Sequence, residues 1–177
     1  IDDASQDETL AMAERTAQQL DLKNFKVMKT PRNQGYGGNQ KLGYTYAIEQ
    51  NFDYVILLHG DGQYPPELLP EIISEFSDDT LAGVFGSRMM KPLEALKGGM
   101  PLYKWIGNLI LTKIENFLMN SDLSEFHSGY RSYKVDALKK ILFLKNSNDF
   151  HFDTDIIIQF FAQHLPIKEV SMPTHYG

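Results

Sequence analysis

The chain has 177 residues and a mass of 20.2 kDa, with 42% apolar and 23% charged residues, a balance that suits one globular domain and excludes a disordered chain. A formal charge of −6 argues against broad nucleic-acid binding, and the absence of cysteine excludes disulfides, thiolate zinc sites and cysteine nucleophiles. No apolar run approaches the ~20 residues that span a bilayer, and no signal peptide is visible.

Ile1-Asp2-Asp3 reads as the tail of a strand, and Pro173 to Gly177 carries no capping element, so the expectation is a segment of a longer polypeptide. Ser5-Gln6-Asp7-Glu8 has capping-box spacing, with Ser5 bonding the Glu8 amide and Glu8 reaching back. A helix follows to about Leu20, turning Leu10, Ala13, Ala17 and Leu20 inward. Phe25 to Met28 alternates like a strand, and Asn33 to Asn39 is a loop rich in glycine (Gly35, Gly37 and Gly38). A helix over 40–51 carries Leu42, Ala47 and Ile48. Tyr54 to Leu58 is a continuous apolar run, as expected of a strand covered on both faces.

His59 to Tyr64 is then a turn, and Pro65-Pro66-Glu67 opens a helix with proline in its first turn. Leu81 to Phe85 reads as a buried strand closed by Gly86-Ser87-Arg88, and a loop over 89–100 precedes a helix over 102–119. Tyr130 to Val135 reads as a strand, 136–142 as a short helix, 152–163 as a helix and 167–172 as a last strand. Alternating strands and helices imply an α/β domain with a mainly parallel sheet, whose ligands bind beyond the carboxyl ends of the strands. Asp2-Asp3, His59 to Gln63 and Ser87-Arg88 fall at such ends.

Asp2 and Asp3 stand before a helix, where they can cap it or accept hydrogen bonds from a nucleoside. Asp61 is a lone carboxylate between Gly60 and Gly62, suited either to a plain strand-end turn or to Mg²⁺ or Mn²⁺ through oxygen, with Gln63 adding a carbonyl oxygen. Between Arg88 and Trp105, four cations (Arg88, Lys91, Lys97, Lys104) face one carboxylate, Glu94, with apolar side chains interleaved and a Gly98-Gly99 hinge. Three readings of that stretch stay open: a lid over the substrates, a contact with a membrane surface, or an ordinary packed loop.

The segments Asp2 to Asp7, Asn33 to Asn39, Gly60 to Pro66, Gly86-Ser87-Arg88, Asn108 and Ser128-Gly129-Tyr130-Arg131 occur in one order along nearly the whole chain. That series resembles the family-two glycosyltransferases of GT-A fold, near dolichyl-phosphate-mannose synthase and the bacterial polyprenyl-phosphate sugar transferases of cell-envelope polysaccharide biosynthesis. The resemblance implies a Rossmann-like, three-layer αβα domain lacking its first strand. Residues 1–177 are then part of a GT-A catalytic domain.

It further implies an inverting enzyme that moves a sugar from a nucleotide-sugar donor to a lipid phosphate or glycan hydroxyl, with Mg²⁺ or Mn²⁺, at the cytoplasmic face of a membrane. No nucleic-acid partner is expected. Donor contacts are implied for Asp2, Asp3, Gly35, Gly38, His59, Asp61 and Arg88, and metal contacts for Asp61, Gln63 and His59. Asp61, Glu125 and Arg131 are implied as catalytic, Arg131 neutralising phosphate and Glu125 holding the acceptor, orienting or pairing with Arg131, or acting as base; Asp153, where a helix begins, reads as a cap rather than a base. The family's first metal-motif Asp is His59 here, which leaves a working variant or a weakened site. Two further readings stand beside transfer: a metal-dependent nucleotidyltransferase and a non-catalytic nucleotide-sugar-binding domain.

Overall fold

The computed structural model describes residues 1–173. Residues 174–177, which fall within the expected uncapped end, lie outside the described residues. Four strands form one open sheet in the order β1-β3-β2-β4: β1 (Tyr54–Leu57), β2 (Gly83–Ser87), β3 (Arg131–Lys134) and β4 (Ile167–Ser171). The helices are α1 (Thr9–Gln19), α2 (Tyr36–Glu49), α3 (Leu69–Glu75), α4 (Pro92–Lys97), α5 (Leu102–Met119), α6 (Val135–Leu138) and α7 (Phe152–Ala162).

Strand alternation builds three layers. Side chains at successive strand positions leave opposite faces of a sheet. Phe85 and Tyr133 therefore join Tyr44, Phe152, Ile156 and Phe160 of α2 and α7 on one face. Val84, Tyr130 and Val170 join Ile72 and Phe76 of the α3 region on the other. A third, smaller cluster buries Met89, Ala95 and Met100 against Trp105 and Leu109.

The α/β class holds, but the sheet is mixed rather than mainly parallel. β3 runs antiparallel to both β1 (Leu57 opposite Arg131) and β2 (Phe85 opposite Arg131), and only β2 and β4 are parallel. An apolar run records burial, not direction, so the inserted antiparallel strand left no mark on the pattern. β1 is also only half-buried throughout, because it lies at a sheet edge with β3 as its one partner among the described residues.

Local expectations shift at the amino end. The capping box does not form: the Ser5 amide donates to Asp2 Oδ1 at 3.0 Å, and the Thr9 amide to Asp7 Oδ1 at 3.0 Å. α1 buries no residue, and Leu20 is exposed rather than inward. Residues 25–28 make no strand; the segment touches the first residues through one parallel bridge, Asp2 to Lys29. Within the expected loop over 89–100, Pro92 opens the short helix α4 at its first position.

Candidate active site

β1 ends at Leu57, and the chain then turns outward over 58–63. Asp61 and Gln63 are exposed there, and Asp61 Oδ1 accepts the Gln63 amide at 3.1 Å, an Asx turn that fixes the loop. Asp61 belongs to the wall of a cavity of about 890 Å³, together with Asp3, Tyr36, Asn39, His59 and Phe150. That volume lies in the range of small-molecule sites. The structure thus places Asp3, His59 and Asp61 on the wall of one cavity across 58 residues of sequence.

His59 is held by two tyrosines and a glycine. Its ring meets Tyr36 edge-on at 5.6 Å and Tyr64 at 5.2 Å between centroids, and its Nε2 lies 3.3 Å from the Tyr36 hydroxyl. The third neighbour is an absent side chain: a Cβ on Gly129 would lie 2.7 Å from Nε2. Tyr36 Oη donates to Asp153 Oδ2 at 2.8 Å, so it accepts from His59 Nε2–H. That assignment leaves Nδ1 as the imidazole's lone-pair nitrogen. Burial, then the Asp153 carboxylate, pushes the Tyr36 phenol well above its ordinary value, so it stays protonated.

Arg131 corrects the expectation of a phosphate-facing arginine. Its side chain is 1% exposed, with Nε 3.5 Å from Asp153 Oδ2 and the guanidinium 4.7 Å from the Phe85 ring centre. It also donates to the Phe126 carbonyl at 2.5 Å. Burial works against its charge, and Asp153 more than offsets that, keeping it protonated. Gln40 Nε2 adds a bond to Asp153 Oδ1 at 3.1 Å. Asp153 is therefore a buried partner joining α2, α7 and β3, not the helix cap its position suggested.

Glu125 is likewise not placed to act as a base. Its carboxylate accepts the Arg88 backbone N–H at 2.8 Å, the Arg88 guanidinium, and Asn108 Nδ2 at 3.0 Å. The pairing partner is Arg88 rather than Arg131, and the carboxylate is buried beneath it. Glu169 in turn accepts the Ser124 amide and hydroxyl (2.7 and 2.8 Å) and the Glu125 amide (3.1 Å). Arg88 is thus held at the mouth of a second cleft, about 460 Å³, lined by Gln63, Met100, Lys104, Asn108 and His127. His127 Nε2 lies 3.3 Å from Glu115 Oε2.

The acid pair and the glycines have structural partners as well. Asp2 is buried and pairs with Lys29 at 3.5 Å; the Ser5 hydrogen bond, then Lys29, holds its carboxyl below the ordinary range. Asp3 accepts from Thr30 Oγ1 (2.9 Å), the Gln34 amide (2.8 Å) and the Gly35 amide (3.1 Å), so its carboxylate shapes the loop that leads into α2. Gly35 takes φ +79°, and a Cβ there would lie 2.7 Å from the Asn148 carbonyl. The Gly37 and Gly38 amides donate to that same carbonyl at 2.7 and 3.2 Å. Gly35 and Gly38 therefore pack α2 against the segment before α7.

Two residues went unassigned in sequence. Tyr36 joins His59 to Asp153. Asn39 Oδ1 is buried without a hydrogen-bond partner, and the residue lines the larger cavity. A buried acceptor lacking a partner is costly unless a ligand supplies the donor.

No group of three His, Cys, Asp or Glu residues is placed to hold a metal among the described residues. Asp61 alone still fits Mg²⁺ or Mn²⁺, because such ions are held by one or two carboxylates with waters and substrate phosphates completing the shell. Gln63 belongs to the second cleft's wall, and His59 has Nε2 engaged with Tyr36 but Nδ1 left over, so Asp61 is the oxygen-ligand candidate with His59 Nδ1 as a nitrogen candidate beside it.

The Glycosyl transferase family 2 profile matches residues 1–142. The chain is 30% identical over 159 residues to the low-salt glycan biosynthesis hexosyltransferase Agl6 of Haloferax volcanii, covering 89% of this chain and 37% of that protein. It is 29% identical over 150 residues to the UDP-N-acetylglucosamine–dolichyl-phosphate N-acetylglucosaminyltransferase of Methanococcus voltae, covering 85% and 59%. It is 26% identical over 143 residues to the undecaprenyl-phosphate mannosyltransferase of Micrococcus luteus, covering 80% and 56%. These relatives are archaeal as well as bacterial, and the chain spans between about a third and three fifths of their lengths. With the αβα layering and the Asp61 loop at a strand end, the match over most of the chain makes this protein a member of glycosyl transferase family 2.

Proposed function

We propose that this chain transfers a sugar from a nucleotide-sugar donor in the larger cavity to an anionic acceptor, a polyprenyl phosphate, in the basic cleft. One observation carries the reading: the loop after β1 borders both spaces, with His59 and Asp61 on the larger cavity and Gln63 on the cleft. Donor and acceptor then meet across Asp61. The names of the M. voltae and M. luteus relatives, which specify dolichyl and undecaprenyl phosphate, support the acceptor class.

The chemistry follows from the charges. The donor's diphosphate leaves as an anion, and a divalent cation bound at Asp61 supplies Lewis-acid stabilisation of it. Asn39 Oδ1 can accept from the nucleoside, and Tyr36 with Phe150, stacked at 5.0 Å, offers an aromatic wall. Arg88, oriented by Glu125 and Asn108, and Lys104 line the cleft where an acceptor phosphate would sit. A phosphate oxygen is already a nucleophilic anion, so no base is needed. Direct attack on the anomeric carbon inverts its configuration.

The engagement of both Glu125 and Asp153 favours this acceptor over a hydroxyl, which would require a free base. A hydroxyl acceptor keeps one supporting observation. His127, paired with Glu115, lines the cleft and can take a proton there.

The deciding assay incubates the full-length protein with UDP- and GDP-sugars and polyprenyl phosphate in detergent, with Mg²⁺ or with EDTA. Metal-dependent release of nucleoside diphosphate and a glycosylated lipid phosphate is expected. Asp61→Asn should lower turnover about 100-fold or more with the melting temperature unchanged, given its exposed position. Pyrophosphate release would indicate nucleotidyl transfer instead. Binding without turnover would indicate a nucleotide-sugar-binding domain.

A further inference from the structure

α5 is amphipathic in reverse. Beside the inward-packed Trp105 and Leu109, its inward face carries a buried polar row: Asn108 bonds Glu125, Thr112 Oγ1 donates to Asn108 Oδ1 at 3.1 Å, and Asn116 Nδ2 donates to the Leu123 carbonyl at 2.7 Å. Its outward face is apolar. Tyr103, Ile106, Ile110, Ile114 and Phe117 recur at spacings of three and four, which places them on one side of a helix. All five are exposed, Tyr103 by 73% and Phe117 by 85%. A soluble helix places these two faces the other way round. Large apolar side chains scattered singly on a surface need no explanation, whereas a continuous stripe of them marks an interaction site.

The charges beside the stripe identify the partner. At 100° per residue, Lys104 and Lys113 fall at the two borders of the apolar arc. From Arg88 to Met119 there are five cations and two carboxylates, in a chain whose net charge is −6. Leu93, exposed by 69%, extends the apolar surface onto α4, which packs on α5 through Ala95, Met100 and Trp105. An apolar arc bordered by lysines is the pattern of a helix lying in the plane of a bilayer, its lysines reaching the headgroups. A second copy of the chain would set these cations against their own equivalents.

We infer that the outward face of α5, with the exposed side of α4, seats on a bilayer bearing anionic phospholipid headgroups. The stripe is continuous with the basic cleft, since Gly107 and Leu111 of α5 line it alongside Arg88 and Lys104. Seating α5 on lipid therefore brings the cleft mouth to headgroup level, where the phosphate of a lipid acceptor lies; that consequence rests on the acceptor reading above, whereas the seating does not.

The test uses an environment-sensitive fluorophore on Phe117→Cys and, as control, on Ser77→Cys in the otherwise cysteine-free chain. Both are mixed with vesicles of phosphatidylcholine, with or without phosphatidylglycerol, containing brominated acyl chains. Quenching at position 117 and none at 77 is expected, stronger with phosphatidylglycerol and reduced by salt. Adding Ile110→Glu should weaken vesicle partition about tenfold. Equal or absent quenching at the two positions would overturn the seating. So would a blue shift at 117 that grows with protein concentration in the absence of lipid, which would assign the face to a second copy. The vesicles contain neither donor nor acceptor, so this result and that of the turnover assay are independent.

Discussion

Gly129 has no room for a side chain because the His59 imidazole occupies that space. Gly129→Ala should therefore push the ring off its Tyr36 bond and cost about 1–3 kcal/mol by overpacking. In the double variant with His59→Ala the space reopens, and most of that loss should return in urea denaturation. If His59 serves the donor, both single variants should also weaken nucleotide-sugar affinity in calorimetry, and full affinity would reduce His59 to a packing residue. Asp153 poses a sharper electrostatic case. Asp153→Asn leaves the Arg131 guanidinium buried without a countercharge, and breaking a pair in this way costs about 3–5 kcal/mol. Adding Arg131→Met should recover part of the loss, because two neutral groups in that space are cheaper than one orphaned charge. Glu169 gives a pH signature: burial, opposed by the Ser124 and Glu125 bonds, raises its carboxyl above the ordinary value of 4.5. A raised acid stabilises the fold below that ordinary value, and the contribution is lost as pH rises through the folded value. Melting curves of Glu169→Gln against the parent protein should show a stability difference that changes as pH rises from the ordinary carboxylate value through the raised folded one, and is flat on either side.

At the scale of elements, the hydrophobic pattern located what is local and missed what depends on distant partners. Tyr54 to Leu58 read as a strand because five apolar residues before a turn have few alternatives, and the Asp61 turn followed from its flanking glycines. The glycine-rich loop was visible, but its purpose was not, since Asn148, the residue it packs against, lies more than a hundred positions away. The burial of Arg131 is not legible locally, because a charged residue is seldom fully buried and the Asp153 that permits it lies on a different element. α5 is the instructive element. Its periodicity was plain, yet a helical repeat says only that two faces differ, and the expectation that the apolar one turns inward fails here. The polar face is recruited to hold Glu125 and, through it, Arg88. Asn108→Leu should thus leave α5 in place by circular dichroism while loosening Arg88. The expected signature is a KM for lipid phosphate raised about tenfold, the size of one lost hydrogen bond to a charged group, with KM for the donor unchanged. An equal rise in both would mean a general distortion of the site.

For the molecule as a whole, the open edge of β1 sets the largest expectation. The larger cavity is two spaces in one. Asp3, Tyr36, His59 and Asp61 form its polar end, and Phe25, Met28, Val55 and Ile56 line an apolar remainder alongside β1. Asp2 and Lys29 form their bridge across that gap, separate from the sheet. Among the described residues, β1 therefore presents a ladder edge toward an apolar trough, a combination that invites an added strand. An extended peptide supplied to this trough should pair with β1 and close the apolar end while leaving the Asp61 end open. Amides of Tyr54 to Leu57 would then exchange more slowly with deuterium, and the melting temperature would rise. Donor affinity would rise with them, because closing the apolar end confines the cavity to its polar end. Unchanged exchange at those amides, together with unchanged donor affinity, would show instead that the trough belongs to the substrate site along its full length.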